Sequence, residues 1–100
     1  MIKINHLSDR IYNVMVERFK IGRDTSMKGW LLKLSGLWRE ADQAIHEREC
    51  RRFVYSQLEL VLADIILFCV ALLMRLGVRN MENLLRRRLD DNDKANKLKK

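Results

Sequence analysis

Proline is absent from this chain, and glycine occurs only 4 times in 100 residues. Sandwiches and barrels need frequent tight turns, which Gly and Pro supply, so an all-β fold is excluded and long uninterrupted helices are expected. Cysteine is equally sparse. Cys50 and Cys69 stand far apart and in no C-x-x-C pair, so neither a disulfide framework nor a zinc motif is encoded, and a reducing, cytoplasmic setting is expected. The opening stretch MIKINHLSDR has no apolar core of a secretory signal. The length leaves no room for a second domain.

What is present is apolar residues and positive charge. Hydrophobic residues make up 48% of the chain, enough for a core, which excludes a wholly disordered protein. Lys and Arg number 20 against 13 Asp and Glu, a formal net charge of +7. That balance suits a polyanionic partner such as nucleic acid, an anionic membrane surface or nucleotide phosphates. It equally suits ordinary solubility, since small domains carry net charges of about 2–8.

Apolar periodicity places four helices, an all-α fold. The first spans about residues 8–20, with Ser8 as N-cap, an apolar face of Leu7, Ile11, Val14, Met15 and Phe19, and Gly22 as a left-handed stop. The second runs from about Ser26 to Glu47 with a stripe of Leu31, Leu34, Trp38, Ala41 and Ile45. Gly36 within it weakens the helix by about 1 kcal/mol relative to Ala. The polar segment HERECRR, residues 46–52, breaks or bends the chain. The third helix, about Phe53 to Leu76, is apolar nearly all round, and Gly77 ends it. The fourth starts at the N-cap Asn80 and reaches about Asp91, with Met81, Leu84, Leu85 and Leu89 inward. A single domain over residues 1–92 is followed by a charged flexible tail, 93–100.

Leu58 to Met74 has to be weighed as a membrane span. It contains Glu59 and Asp64, and the unbroken stretch from Ile65 to Met74 falls short of the ~20 residues a bilayer core requires. A buried core helix, with no membrane partner, is the expectation. Three shorter helices scarcely cover such a helix, so a homodimer or homotetramer that completes the bundle across the interface is expected.

Asp64 is the informative residue, because a carboxylate within an apolar helix is costly unless paired or bound to metal. If the second and third helices run antiparallel, Glu40 can face Asp64, and two carboxylates make a hard oxygen site that Mg²⁺ accepts. The alternative is a structural ion pair with Lys33 or Arg39. His6 and His46 have no ligand partners at helical spacing other than carboxylates near His46, so zinc is not expected. Cys69 reads as a small core residue. Cys50, in a basic stretch, could carry a lowered pKa or be a plain exposed thiol. Trp30, Trp38, Phe53 and Tyr55 are either core residues or stacking platforms for a base.

Four segments, in order and spacing, resemble the MazG-like all-α nucleotide pyrophosphohydrolases. LSDRIYNVMVERFKI (7–21) is similar to their first helix, LSGLWREA (34–41) to the helix bearing E-E-x-x-E, VLADIILFCVALLMRLGV (61–78) to the E-x-x-D helix, and RRLDDNDK (87–94) to the closing substrate motif. The resemblance covers most of the chain and implies a four-helix MazG-like domain with a long buried third helix. In that family four carboxylates hold Mg²⁺, which neutralises the phosphates and activates the attacking water. The corresponding ligand positions here are Leu37, Glu40, Val61 and Asp64, so two of the four are apolar. Glu59 and Glu47 could contribute from neighbouring turns.

The resemblance therefore implies a catalytically degenerate member that binds, sequesters or senses a nucleotide or nucleotide signal without cutting it, while whether it is an enzyme stays open. With Glu40 and Asp64 as a weak residual metal site, Mg²⁺ has an incomplete set of ligands, and phosphate contacts pass to basic residues. Lys33, Trp38 and Arg39 flank Glu40, while Arg86, Arg87, Arg88, Asn92 and Lys94 lie in or beside the closing motif. Arginine suits this role because its contacts to phosphate are charge-assisted and often bidentate. A small stand-alone chain of this kind would suit a phage or mobile-element genome. Two alternatives stand beside it: an active Mg²⁺-dependent pyrophosphohydrolase with an altered site, and a basic module that binds protein or, less expectedly, nucleic acid.

Overall fold

Each apolar segment folds as a helix whose ends are set by local chemistry. The computed structural model describes residues 4–46 and 56–98. Among them are four helices and no strand: α1 (Ile4–Phe19), α2 (Met27–His46), α3 (Gln57–Arg75) and α4 (Met81–Leu98). Helices α1 and α2 both pack on α3, and α4 leans on α1.

α1 begins earlier than the sequence suggests. Ser8 lies inside the helix, buried, and its hydroxyl donates to the Asn5 carbonyl at 3.0 Å. A serine that satisfies itself on its own helix has no need to cap one. At the other end the left-handed residue is Lys20, with φ 54°, rather than Gly22. The Ile21 N–H then donates back to the Val16 carbonyl at 3.2 Å, a Schellman-type closure. Gly22 instead donates its N–H to Thr25 Oγ1 at 3.0 Å, and its carbonyl accepts from Trp30 Nε1 at 3.0 Å.

The remaining ends are simpler. Ser26 Oγ accepts from the Gly29 N–H at 3.1 Å at the start of α2. α3 opens with a reciprocal capping box: the Glu59 N–H donates to Ser56 Oγ, and the Ser56 N–H donates to Glu59 Oε1, both at 3.2 Å. Residues 53–55, expected at the start of this helix, lie outside the described residues. Gly77, at φ 96°, ends α3 as expected, with the Val78 N–H on the Leu73 carbonyl at 3.0 Å. Asn80 Oδ1 accepts from the Asn83 N–H at 3.0 Å, the expected cap of α4. α4 continues past the expected end at Asp91 to Leu98, with Lys97 on Asp93 at 3.3 Å one turn apart.

The core gathers around Trp30 and Phe68, both fully buried. Their ring centroids are 5.6 Å apart; Phe19 meets Phe68 edge-on at 5.2 Å, and Tyr12 stacks on Trp30 at 6.2 Å. Met15, Ile21, Leu37, Ala41, Val61, Ile65 and Ala71 complete the cluster.

Two expected faces turn out rotated. On α2 the residues facing the core are Trp30, Leu37, Ala41 and Ala44, while Leu31, Trp38 and Ile45 are exposed. α2 carries two apolar stripes about 100° apart, and packing on α3 selects the one that brings Trp30 to Phe68. On α4 only Met81 is buried, and Leu85 and Leu89 are exposed, as is Val14 on α1. α3 is not buried on most sides. Val61, Ile65, Phe68 and Ala71 face the core and Val70 is also buried, while Leu60, Leu62 and Ile66 face outward.

Candidate functional site

The middle of α3 holds the carboxylate singled out from the sequence. Asp64 is half-buried, and its Oδ2 stands 3.0 Å from Nη1 of Arg18, on α1. The structure thus presents the ion-pair arrangement with a partner from a different helix than Lys33 or Arg39. Arg18 is further held by its own neighbour, its guanidinium carbon lying 4.8 Å from the centre of the Phe19 ring.

The other three positions compared with metal ligands divide sharply. Leu37 is 1% exposed and Val61 2% exposed, and both belong to the Trp30–Phe68 core. Glu40 lies on the exposed side of α2, with no ion-pair partner among the described residues. No group of three or more His, Cys, Asp or Glu side chains is placed to hold a metal among the described residues. A pair of hydrocarbon side chains occupies half of the proposed coordination shell, and Asp64 already has a cationic partner. Glu59, the neighbouring acid considered as a substitute, is committed to the α3 capping box. Glu47 lies outside the described residues.

The basic candidates fall into two separate groups. Lys33, Trp38 and Arg39 are exposed on α2. Trp38 is 56% exposed, available as a stacking surface, whereas Trp30 is core. Arg86, Arg87, Arg88, Asn92 and Lys94 are exposed along α4. Arg88 forms a surface pair with Asp91 at 3.5 Å, while Arg86 and Arg87 border a shallow depression shared with Asp90. Helix α4 leans on α1 rather than joining α2, so one chain does not assemble the two groups into a single site.

Cys69 is half-buried, and burial pushes its thiol above the ordinary cysteine range, in keeping with an unreactive packing residue. His6 is exposed on α1. Cys50, Phe53, Tyr55 and the His46 side chain lie outside the described residues.

Several residues that organise the molecule were not singled out from the sequence. Arg18 is one. Asn5 is another: its Oδ1 accepts from the Met81 N–H at 2.8 Å, and its Nδ2 donates to Asn80 Oδ1 at 2.9 Å, tying α1 to the start of α4. Neither carries a local signal, because each acts on a partner distant in the chain. The Ser56-Gln-Leu-Glu59 box did carry one, since S-x-x-E before an apolar run marks a helix start.

No family model, curated protein or solved structure matches this chain. Among the described residues one helix, Gln57–Arg75, is long and apolar enough to cross a membrane by length and composition, and a third of it is buried within the chain.

Proposed function

We propose that the chain is a degenerate MazG-like protein that binds the phosphates of a nucleotide without hydrolysing them and works as a homo-oligomer in the cytoplasm. The observation that carries this reading is the burial of Leu37 and Val61 in the core, with Asp64 engaged by Arg18. Two ligand positions made of hydrocarbon leave no shell in which Mg²⁺ can both hold a triphosphate and activate a water. Binding then falls to the cationic side chains of α2 and α4, Lys33 and Arg39 on one, Arg87, Arg88 and Lys94 on the other, with Trp38 stacking on the base and Asn92 as a polar contact.

Oligomerisation supplies what one chain does not. Leu31 and Ile45 on α2, and Leu62 and Ile66 one turn apart on α3, are exposed. Exposed apolar residues repeated along a helix suit an interface. A second copy, rather than lipid, is the expected cover, because the Arg18–Asp64 pair sits at the middle of α3 where a bilayer would exact the highest cost.

The test is calorimetric titration of the protein with NTPs, dNTPs and cyclic nucleotides, with and without Mg²⁺, beside a pyrophosphate-release assay. Saturable binding without release, weakened by Lys33→Glu/Arg39→Glu, supports the reading. Absence of binding to every nucleotide sinks it. Release that Asp64→Asn abolishes would instead establish the hydrolase.

A further inference from the structure

A cleft at the opposite end of α3 from its capping box brings together three arginines from three parts of the chain. Arg23 comes from the α1–α2 connection, Arg75 is the last residue of α3, and Arg79 lies in the α3–α4 connection. The cleft has a volume of about 540 Å³ and also receives Asp9 of α1. Three positive charges thus face one negative charge. None of the three guanidiniums has a carboxylate within ion-pair distance among the described residues.

Arg75 is the informative member. Its Nη2 donates to the Thr25 carbonyl at 3.3 Å, which tethers the guanidinium at one end. Its Nε is buried and has no hydrogen-bond partner. Buried donors are nearly always satisfied, so this guanidinium keeps unused hydrogen-bonding capacity in a residue that lines the cleft. Gly77 lines the wall of the same cleft. The carboxyl end of α3 opposes an anion with only about half an elementary charge, less than the surplus the arginines provide.

We infer that this cleft is a phosphate-binding site, taking a phosphate or pyrophosphate group on Arg75, Arg23 and Arg79. The planar guanidinium fork matches phosphate oxygens two at a time, and a fork tethered at one nitrogen has less freedom to lose on binding. The volume accommodates a small phosphorylated molecule as well as the free anion. The inference does not rest on the nucleotide reading, because it uses none of the residues of the α2 and α4 groups.

The test is a ¹H–¹⁵N NMR titration of the full chain at low salt with inorganic phosphate, pyrophosphate and ATP. The expected result is a saturable shift of the Arg75 Nε–H and of the Gly77 and Val78 amides with pyrophosphate. Arg23→Glu/Arg79→Glu changes two exposed side chains and is expected to weaken that binding by about tenfold or more, the loss typical of charged hydrogen bonds. Arg75→Lys, which keeps the charge and loses the fork, is expected to weaken it as well, with circular dichroism reporting that both variants are folded. Equal affinity for pyrophosphate and ATP assigns the cleft to phosphate alone, and tighter ATP binding assigns it to a phosphorylated ligand; either supports the site. No saturable shift with any of the three, or pyrophosphate affinity unchanged in Arg23→Glu/Arg79→Glu, overturns it. Loss in that variant supports the cleft whatever Lys33→Glu/Arg39→Glu does, so the two proposals fail separately.

Discussion

Arg18 Nη1 lies 3.0 Å from Asp64 Oδ2, linking the last turns of α1 to the middle of α3. The arginine side chain is 45% exposed and the aspartate 29%, so water screens the pair, and its worth is that of a surface bridge rather than a buried one. A double-mutant cycle of Arg18→Ala and Asp64→Ala, followed by urea unfolding, is expected to give a coupling of about 0.5–1 kcal/mol. A coupling near zero would detach Asp64 from this role and free it for a ligand.

Placing acids at Leu37 and Val61 tests whether these positions are core or site. Leu37→Glu or Val61→Glu should not create a metal centre. Each would bury an unpaired carboxylate beside Trp30 and Phe68, at a cost on the order of 3 kcal/mol or more. Leu37→Ala should cost about 2–5 kcal/mol as a large-to-small core change. Thermal unfolding with and without Mg²⁺ checks this: a variant stabilised by the metal would show that these positions line a site after all.

Lys20 holds a left-handed backbone, φ 54°, where glycine is usual. Lys20→Gly relieves a penalty of about 1 kcal/mol while leaving the helix before it intact. A rise in the urea midpoint at constant slope is the expected outcome, and a fall would mean the lysine side chain has a role beyond the turn.

Asn5 caps a helix 75 residues away, accepting from the Met81 N–H at 2.8 Å and bonding Asn80. Asn5→Ala is expected to cost about 1 kcal/mol, as loss of a cap does. Hydrogen exchange localises it: the amides of Met81 and Glu82 should exchange faster, while those of α3 stay protected.

Burial raises the Cys69 thiol pKa. The thiolate is the nucleophile, so a raised pKa lowers its population at neutral pH and moves the rise in alkylation rate to higher pH. In a Cys50→Ser background, the iodoacetamide rate–pH profile should lie to the alkaline side of glutathione's. A profile at or below the free thiol's would place Cys69 in a more polar setting.

The helices and several of their ends were legible without tertiary information. The absence of proline, the apolar period, Gly77 and Asn80 act within one or two turns, where chain geometry alone sets the outcome, and the Ser56–Glu59 box is an equally local signal that the expected start at Phe53 passed over. The left-handed stop at Lys20 was not legible, because glycine two residues on offered the stronger local signal.

Which faces turn inward belonged to the tertiary structure. α2 is apolar on two stripes, and only the contact of Trp30 with Phe68 decides that Leu37 is buried and Trp38 exposed. Pairing across the fold followed the same rule. Asp64 met Arg18 rather than a charge on α2, and Arg23, Arg75 and Arg79 converged from segments with no shared motif. Composition and periodicity report how each segment can fold. The three-dimensional packing determines which side chains meet, because burial of the largest aromatic surfaces outweighs the smaller energies that local patterns express.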